Sequence, residues 1–327
     1  MLEMIKIKHA LIVIALAAAG AVGAENYPSA PITLIVPFAA GGPTDVIARV
    51  IAKGMQDQLR QSVVIDNKSG AGGRTGIGML KRARPDGYTI GMATASTQGV
   101  APNVYAKLEY DPLKDFKSVG QIVIAPGVLV ASKGLVPDCK MSTFLSLLRT
   151  SPRKYTYGSA GQGSLSHLSG ERFLAVTGLH MLHVPYRGLG PAMNDLYGGQ
   201  IAAVFDNVST AMPHIQSGKL CALAVQAKQR LSPLPDVPTY GELGLADLNT
   251  PTWYGILTPR NTPDPIVFKL NAALNAALKT NEIKDAFDRL GVLPSATSPA
   301  EFNDIQKREF DMWRDIVTKT NMKKLDD

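Results

Sequence analysis

Apolar and polar positions alternate along the chain in two periods, one fitting short buried strands and the other fitting helices with one buried face. Residues 32–36 form an unbroken apolar run apart from Thr33, the pattern of a strand covered on both sides. Residues 37–45 then hold a glycine-containing turn. Beyond it Val46, Ile47, Val50, Ile51, Met55 and Leu59 recur at the three- and four-residue spacing of one helix face. Residues 63–65 read as a second strand, 70–73 as a turn, 75–83 as a helix, and 88–92 as a third strand after the turn Pro85-Asp86-Gly87. The order is βαβαβ, which predicts parallel strands in an open, doubly wound sheet with ligands bound beyond the strands' carboxyl ends.

The pattern then restarts. Strands are expected at 119–124, 128–131, 155–157, 181–184, 202–205 and 221–225, with helices near 141–149, 191–197 and 210–217. A glycine-rich turn, residues 158–164, again separates strand from helix. Residues 231–251 are rich in proline and polar side chains and read as a long excursion before a strand at 253–257. Three helical stretches, 265–278, 282–290 and 299–318, close the chain. With no strands left to pair, these helices are expected to pack back on the first lobe. The expected division is therefore a discontinuous lobe of residues 25–122 plus 252–327 and a second lobe of residues 123–251, joined by two crossings that act as a hinge.

The beginning of the chain fits neither lobe. Lys6, Lys8 and His9 precede an apolar run over 10–19 that is too short to span a bilayer comfortably, and Val22-Gly23-Ala24 suits a cut before Glu25. Residues 1–24 read as a secretory signal peptide, so the mature protein is expected to be an exported, periplasmic monomer. The full sequence of 327 residues is 45% hydrophobic and 19% charged, enough to build a core without staples. Nothing therefore forces Cys139 and Cys221 into a disulfide, although an oxidising compartment permits one. The formal charge of +7 comes from basic residues scattered among acids, which argues against a nucleic-acid-binding stripe.

Both glycine-rich turns follow a strand and open a helix, so their free amides would aim partial positive charge into the cleft between the lobes. Neither turn contains Lys or Arg. An anion there would be held by backbone amides and by the hydroxyls of Thr44, Ser159 and Ser164, unless the glycines serve only to allow tight turns. Asp45 also has two readings, as a cleft residue or as an acid favouring the positive helix end. Other chemistries fit poorly. Gly41-Gly42 and Gly70-Ala71-Gly72-Gly73 miss the glycine spacing of a dinucleotide site. His180 and His183 would point to opposite faces of a strand, and no metal-ligand motif is present. Ser159 lies outside any nucleophile elbow, and His167 is expected to face the cleft or cap its helix rather than act as a base.

Taken together, the motifs resemble the solute-binding proteins of tripartite tricarboxylate transporters, the Bug family. The resemblance is carried by Pro37-Phe38-Ala39-Ala40-Gly41-Gly42-Pro43-Thr44-Asp45, Gly70-Ala71-Gly72-Gly73, Pro85-Asp86-Gly87-Tyr88 and Gly158-Ser159-Ala160-Gly161 with Ser166-His167-Leu168. It continues in His183-Val184-Pro185-Tyr186-Arg187-Gly188, Phe205-Asp206-Asn207 and Trp253-Tyr254-Gly255. It implies an α/β, two-lobed periplasmic binding protein fold of type II-like form, two doubly wound sheets joined by a two-strand hinge. It further implies a protein that is not an enzyme, needs no cofactor or metal, and captures a small carboxylate for membrane permease subunits. On this resemblance the ligand residues are Phe38, Ala39, Gly41, Gly42, Thr44 and Asp45, then Thr94, Ser96 and Thr97. Ser159, Ala160, Gly161, Gly163, Ser164 and Asp206 complete the set, to which His167 is added from its own position facing the cleft. A periplasmic partner of a sensor kinase, without transport, is the alternative. Cys221 and Ala101-Pro102-Asn103 depart from the family pattern.

Overall fold

The computed structural model describes residues 27–319 and 324–326. The expected signal peptide lies outside the described residues. Among them, no helix is long and apolar enough to cross a membrane.

The first lobe opens with β1 (Ile32–Val36), α1 (Pro43–Leu59), β2 (Val63–Asn67), α2 (Arg74–Arg82) and β3 (Thr89–Thr94). A π-turn over Ser96–Val100 leads into α3 (Ala101–Val104) and then β4 (Phe116–Ala125). After the second lobe the chain returns as β10 (Thr252–Pro259), α8 (Asp264–Lys279), α9 (Asn281–Arg289), β11 (Leu293–Pro294) and α10 (Pro299–Lys319). The sheet order is β11-β4-β10-β3-β1-β2.

β1 pairs in parallel with β2 and β3, as the βαβαβ order requires, but β10 runs antiparallel to both β3 and β4. The sheet is thus mixed rather than wholly parallel, because β10 enters on the chain's return from the other lobe. β11, a two-residue edge strand on β4, was not expected from the sequence. The apolar face of α1 (Ile47, Ile51, Met55) packs with Leu270 and Leu274 of α8 against one side of this sheet. Gly54 allows that close crossing, since a β-carbon there would stand 2.9 Å from the Ala277 methyl.

The second lobe contains β5 (Gly127–Ser132), α4 (Met141–Thr150), β6 (Thr156–Ser159), α5 (Leu165–Thr177) and β7 (Leu182–Pro185). It continues with α6 (Leu189–Tyr197), β8 (Ala203–Asn207), α7 (Val208–Gln216) and β9 (Leu220–Gln226). Its sheet order is β7-β6-β8-β5-β9, with β6 parallel to both neighbours and β5 antiparallel to both.

The chain passes between sheets at Pro126 and through residues 227–251. β4 stays in the first sheet as far as Ala125, so the expected boundary after residue 122 falls inside a strand. The excursion folds onto the second lobe: Thr239 bridges Val225, and Tyr240 and Leu248 enter its core. Cys139 and Cys221 form a disulfide with Cα atoms 4.9 Å apart, resolving the pairing that spacing left open.

Candidate ligand site between the lobes

A cavity lies between the two sheets, walled by both lobes. The first lobe contributes Phe38, Pro43, Thr44, Thr94, Ser96, Thr252 and Tyr254. The second contributes Ala160, Leu165, Ser166, Ser169, Leu189, Phe205, Asp206, Asn207 and Gln226. Asp206 is the only charged side chain in this wall.

Four helices begin here. Pro43 and Thr44 start α1, Leu165 and Ser166 start α5, Leu189 starts α6, and Asn207 is the cap of α7. The opening amides of a helix have no carbonyl one turn back to bond to, so each start turns partial positive charge toward the cavity. Some of those amides are already used. Leu165 N donates to Ser96 Oγ at 3.0 Å across the cleft, and Val208 N donates to the Pro126 carbonyl. Pro43 at the first helical position has no amide to offer. The Ser166 hydroxyl accepts the Ala160 amide at 2.9 Å, holding the second-lobe turn against the start of α5.

Asp206 stands at the carboxyl end of β8, 4% exposed. One carboxylate oxygen accepts the Asn207 amide at 2.7 Å and the other accepts the Thr210 hydroxyl at 2.7 Å. Burial outweighs these bonds and pushes its carboxyl up to about 7. Beside it, the Asn207 side chain donates to the Tyr254 hydroxyl, which also bonds Thr44, so both lobes meet in one buried polar chain.

Of the residues expected from sequence, Phe38, Thr44, Thr94, Ser96, Ala160 and Asp206 line the cavity. Others serve the loops around it. Asp45 accepts the Gly41 amide at 3.0 Å, Asn67 Nδ2 at 3.0 Å and Arg49 Nε at 2.9 Å. Burial raises its pKa, but these bonds outweigh that effect and hold the carboxyl below its ordinary value. Thr97 bonds the Thr94 hydroxyl at 3.2 Å. Ala39, Gly41 and Gly42 stay in the turn before α1, outside the wall.

In this structure the hydroxyls of Ser159 and Ser164, expected to help hold an anion, bond within their own lobe. Ser164 donates to the Gly161 carbonyl at 2.6 Å and accepts the His167 amide, capping α5. Ser159 is fully buried and shares a 2.6 Å hydrogen bond with His183 Nε2. His167 accepts the Gly163 amide at Nδ1 and stacks on His183 with ring centres 4.1 Å apart, beneath the turn rather than in the cavity. Gly161 and Gly163 face the first lobe instead of the cavity.

Ten wall residues were not anticipated. Asn207 and Tyr254 stand inside the motifs Phe205-Asp206-Asn207 and Trp253-Tyr254-Gly255, so a signal existed for them. Nothing local marks Ser169, Gln226 or Thr252.

The family profile described as "Tripartite tricarboxylate transporter family receptor" matches residues 47–322. The chain belongs to this receptor family. It is 35% identical to Protein BugT of Bordetella pertussis over 306 residues, covering 93% of this chain and 94% of that one. Among solved structures, one described as a periplasmic transporter superposes with a TM-score of 0.88 at 44% identity, covering 91% and 99% of the two chains. MatC from Rhodopseudomonas palustris with bound malate superposes with a TM-score of 0.85 at 35% identity, covering 89% and 100%. An R. palustris protein with adipate gives 0.87 at 33% identity, covering 91% and 100%. For the receptor described here, these likenesses agree with the two-lobed α/β fold.

Proposed function

We propose that this receptor is a periplasmic solute-binding protein that takes one small carboxylate into the cavity and delivers it to membrane permease subunits. One observation carries the reading: four helix starts converge on a cavity whose wall has no Lys or Arg. Such a site holds an anion with amides and helix dipoles, at moderate strength, so that the anion can be released again. Malate and adipate in the related structures support the same class of ligand.

Residues before 126 together with those after 251 act as one lobe and the stretch between as the other, closing by rotation about the two crossings. The remaining opening amides of α1 and α5, those of Thr44 and Ser166 foremost, hold the carboxylate. Burial holds the Asp206 carboxyl well above the ordinary carboxylate range, so in its protonated form it donates a hydrogen bond where a fixed negative charge would repel the ligand. Residues 1–24 direct export and are then removed, and the mature chain acts as a monomer without catalysis.

The test is a thermal-shift screen of the mature protein against C3 to C6 mono- and dicarboxylates, backed by mass spectrometry of ligand released from freshly purified material. At about 100 times its dissociation constant a true ligand adds roughly 2.7 kcal/mol of stability. Stabilisation by carboxylates but not by their amides is the expected result. Stabilisation only by neutral sugars or by cations would overturn the reading.

A further inference from the structure

The cavity is shut on two sides by seams where backbone meets backbone. In the first, the loop before α1 meets the loop before α6, and Ala39 N donates to the Arg187 carbonyl at 3.2 Å. A β-carbon on Gly188 would stand 2.9 Å from Ala39 N, and one on Gly190 would stand 2.6 Å from the Ala40 carbonyl oxygen. In the second, a β-carbon on Gly72 would stand 2.7 Å from the Gln162 carbonyl oxygen, and one on Gly161 would stand 3.1 Å from Gly72 N. Tyr105 crosses this seam, donating its hydroxyl to the Gln162 carbonyl at 2.7 Å.

Separations under 3.0 Å are ones that real β-carbons essentially never show, and the atoms met here are backbone, which cannot swing aside. We infer that the seam glycines, Gly188 and Gly190 foremost, set ligand affinity by permitting closure, without touching the ligand. Neither residue lines the cavity. The inference rests on the proposed binding function and adds to it a role for Gly188 and Gly190, which lie outside the two glycine-rich turns expected to face the anion.

Gly188 is the informative position. Its φ of 164° and ψ of 170° are extended backbone open to any residue, so an added methyl brings no conformational strain of its own. Gly72 and Gly161, with φ of 63° and 118°, would be strained by any side chain whether or not the lobes close. When the lobes swing apart, Ala39 leaves Gly188 and the methyl fits. Gly188→Ala therefore acts against the closed form alone. Because ligand binds that form, affinity falls by the factor lost from its population.

The experiment compares wild type, Gly188→Ala, Gly190→Ala and Gly178→Ala. Gly178 caps α5 with φ 67° and has open space around it, so its variant carries backbone strain but no seam contact. The probe is whichever of malate, adipate and their C3 to C6 homologues most raises the wild-type melting temperature. Affinity is measured by calorimetry, and hydrogen exchange at the Ala39 amide reads the seam directly in the same samples. Gly188→Ala should bind about tenfold or more weakly and exchange Ala39 faster, while melting like wild type without ligand. Gly178→Ala should bind like wild type. Should Gly188→Ala fail to fold, Gly190→Ala carries the comparison. Wild-type affinity and exchange in the folded seam variants overturn the inference, as does an equal loss in Gly178→Ala. A wild type that answers no carboxylate overturns the proposed function itself, and the seam's role with it.

Discussion

Thr210 donates its hydroxyl to the Asp206 carboxylate at 2.7 Å, from the first turn of the helix that follows it. With the Asn207 amide on the other oxygen, Asp206 has one hydrogen bond per oxygen and no cation, and burial raises its pKa to about 7. An unfolded chain would ionise this group near 3.8, so the folded state binds the proton more tightly. The associated stability is full below pH 3.8 and is lost as pH rises through 7. Asp206→Asn removes this term, which is on the order of 4 kcal/mol. Melting curves from pH 4 to 8 should show the variant gaining on wild type as pH rises. Its carboxylate affinity at pH 7 should drop about tenfold, because an amide cannot accept from both Thr210 and Asn207 and still offer a donor to the ligand.

The stacked histidines impose the opposite slope. Burial, and then the neighbouring His167, lowers the pKa of His183 to about 4. The groups around the pair are Ser159 on His183, Tyr157 packed against its ring, and Glu171 within 3.9 Å of His167. An unfolded chain takes up the proton near pH 6.5, so stability is full above that value and declines as pH falls toward 4. Because the pair keeps some contact with solvent, the effect is on the order of 1 kcal/mol. His183→Asn should flatten the acid limb of the melting profile between pH 6.5 and 4. An unchanged limb would remove the pair from the account of acid sensitivity.

Tyr254 belongs to the first lobe and Asn207 to the second, and the hydroxyl between them also bonds Thr44. Tyr254→Phe leaves two buried polar groups short of a partner, at a cost of about 1–2 kcal/mol. Since the Asn207–Tyr254 bond exists only when the lobes meet, the loss should appear as roughly five- to tenfold weaker ligand binding. The melting temperature without ligand should change less.

The Cys139–Cys221 bridge closes a loop of 82 residues at the end of β9 opposite Gln226. Chain entropy puts its contribution near 4 kcal/mol, and strain in the native state can lower that. Reduction, or Cys221→Ser, should lower the melting temperature clearly. Carboxylate affinity, measured well below that temperature, should not move, because neither cysteine reaches the cavity wall.

The helices and strands were legible because the burial each residue requires is written in the spacing of its neighbours. The apolar stripe of α1 buries Ile47, Ile51 and Met55 as its period demands. The direction of β10 was not legible, since nothing in Thr252–Pro259 records that the chain arrives from another lobe. For the site, positions at strand ends and helix starts, such as Thr44, Ser96 and Asp206, followed from topology. Ser159 and Ser164 were read as cleft hydroxyls, but a hydroxyl beside a ligand site is also beside its own turn. Here they bond His183 and the Gly161 carbonyl. The glycines were recognised as turn formers, but what they must make room for lies more than 80 residues away in the chain.

The register at the crossings has a practical consequence. Ala125 pairs with Thr252 in one sheet and Gly127 pairs with Gln226 in the other, so the stretch from 126 to 251 leaves and re-enters the first lobe at a single place. It can be treated as a cassette. A chimaera that takes this stretch from a relative of different ligand preference would exchange Ser169, Asp206 and Gln226 while keeping Phe38, Thr44 and Tyr254. The preference that such a hybrid inherits would tell which half of the wall selects the solute.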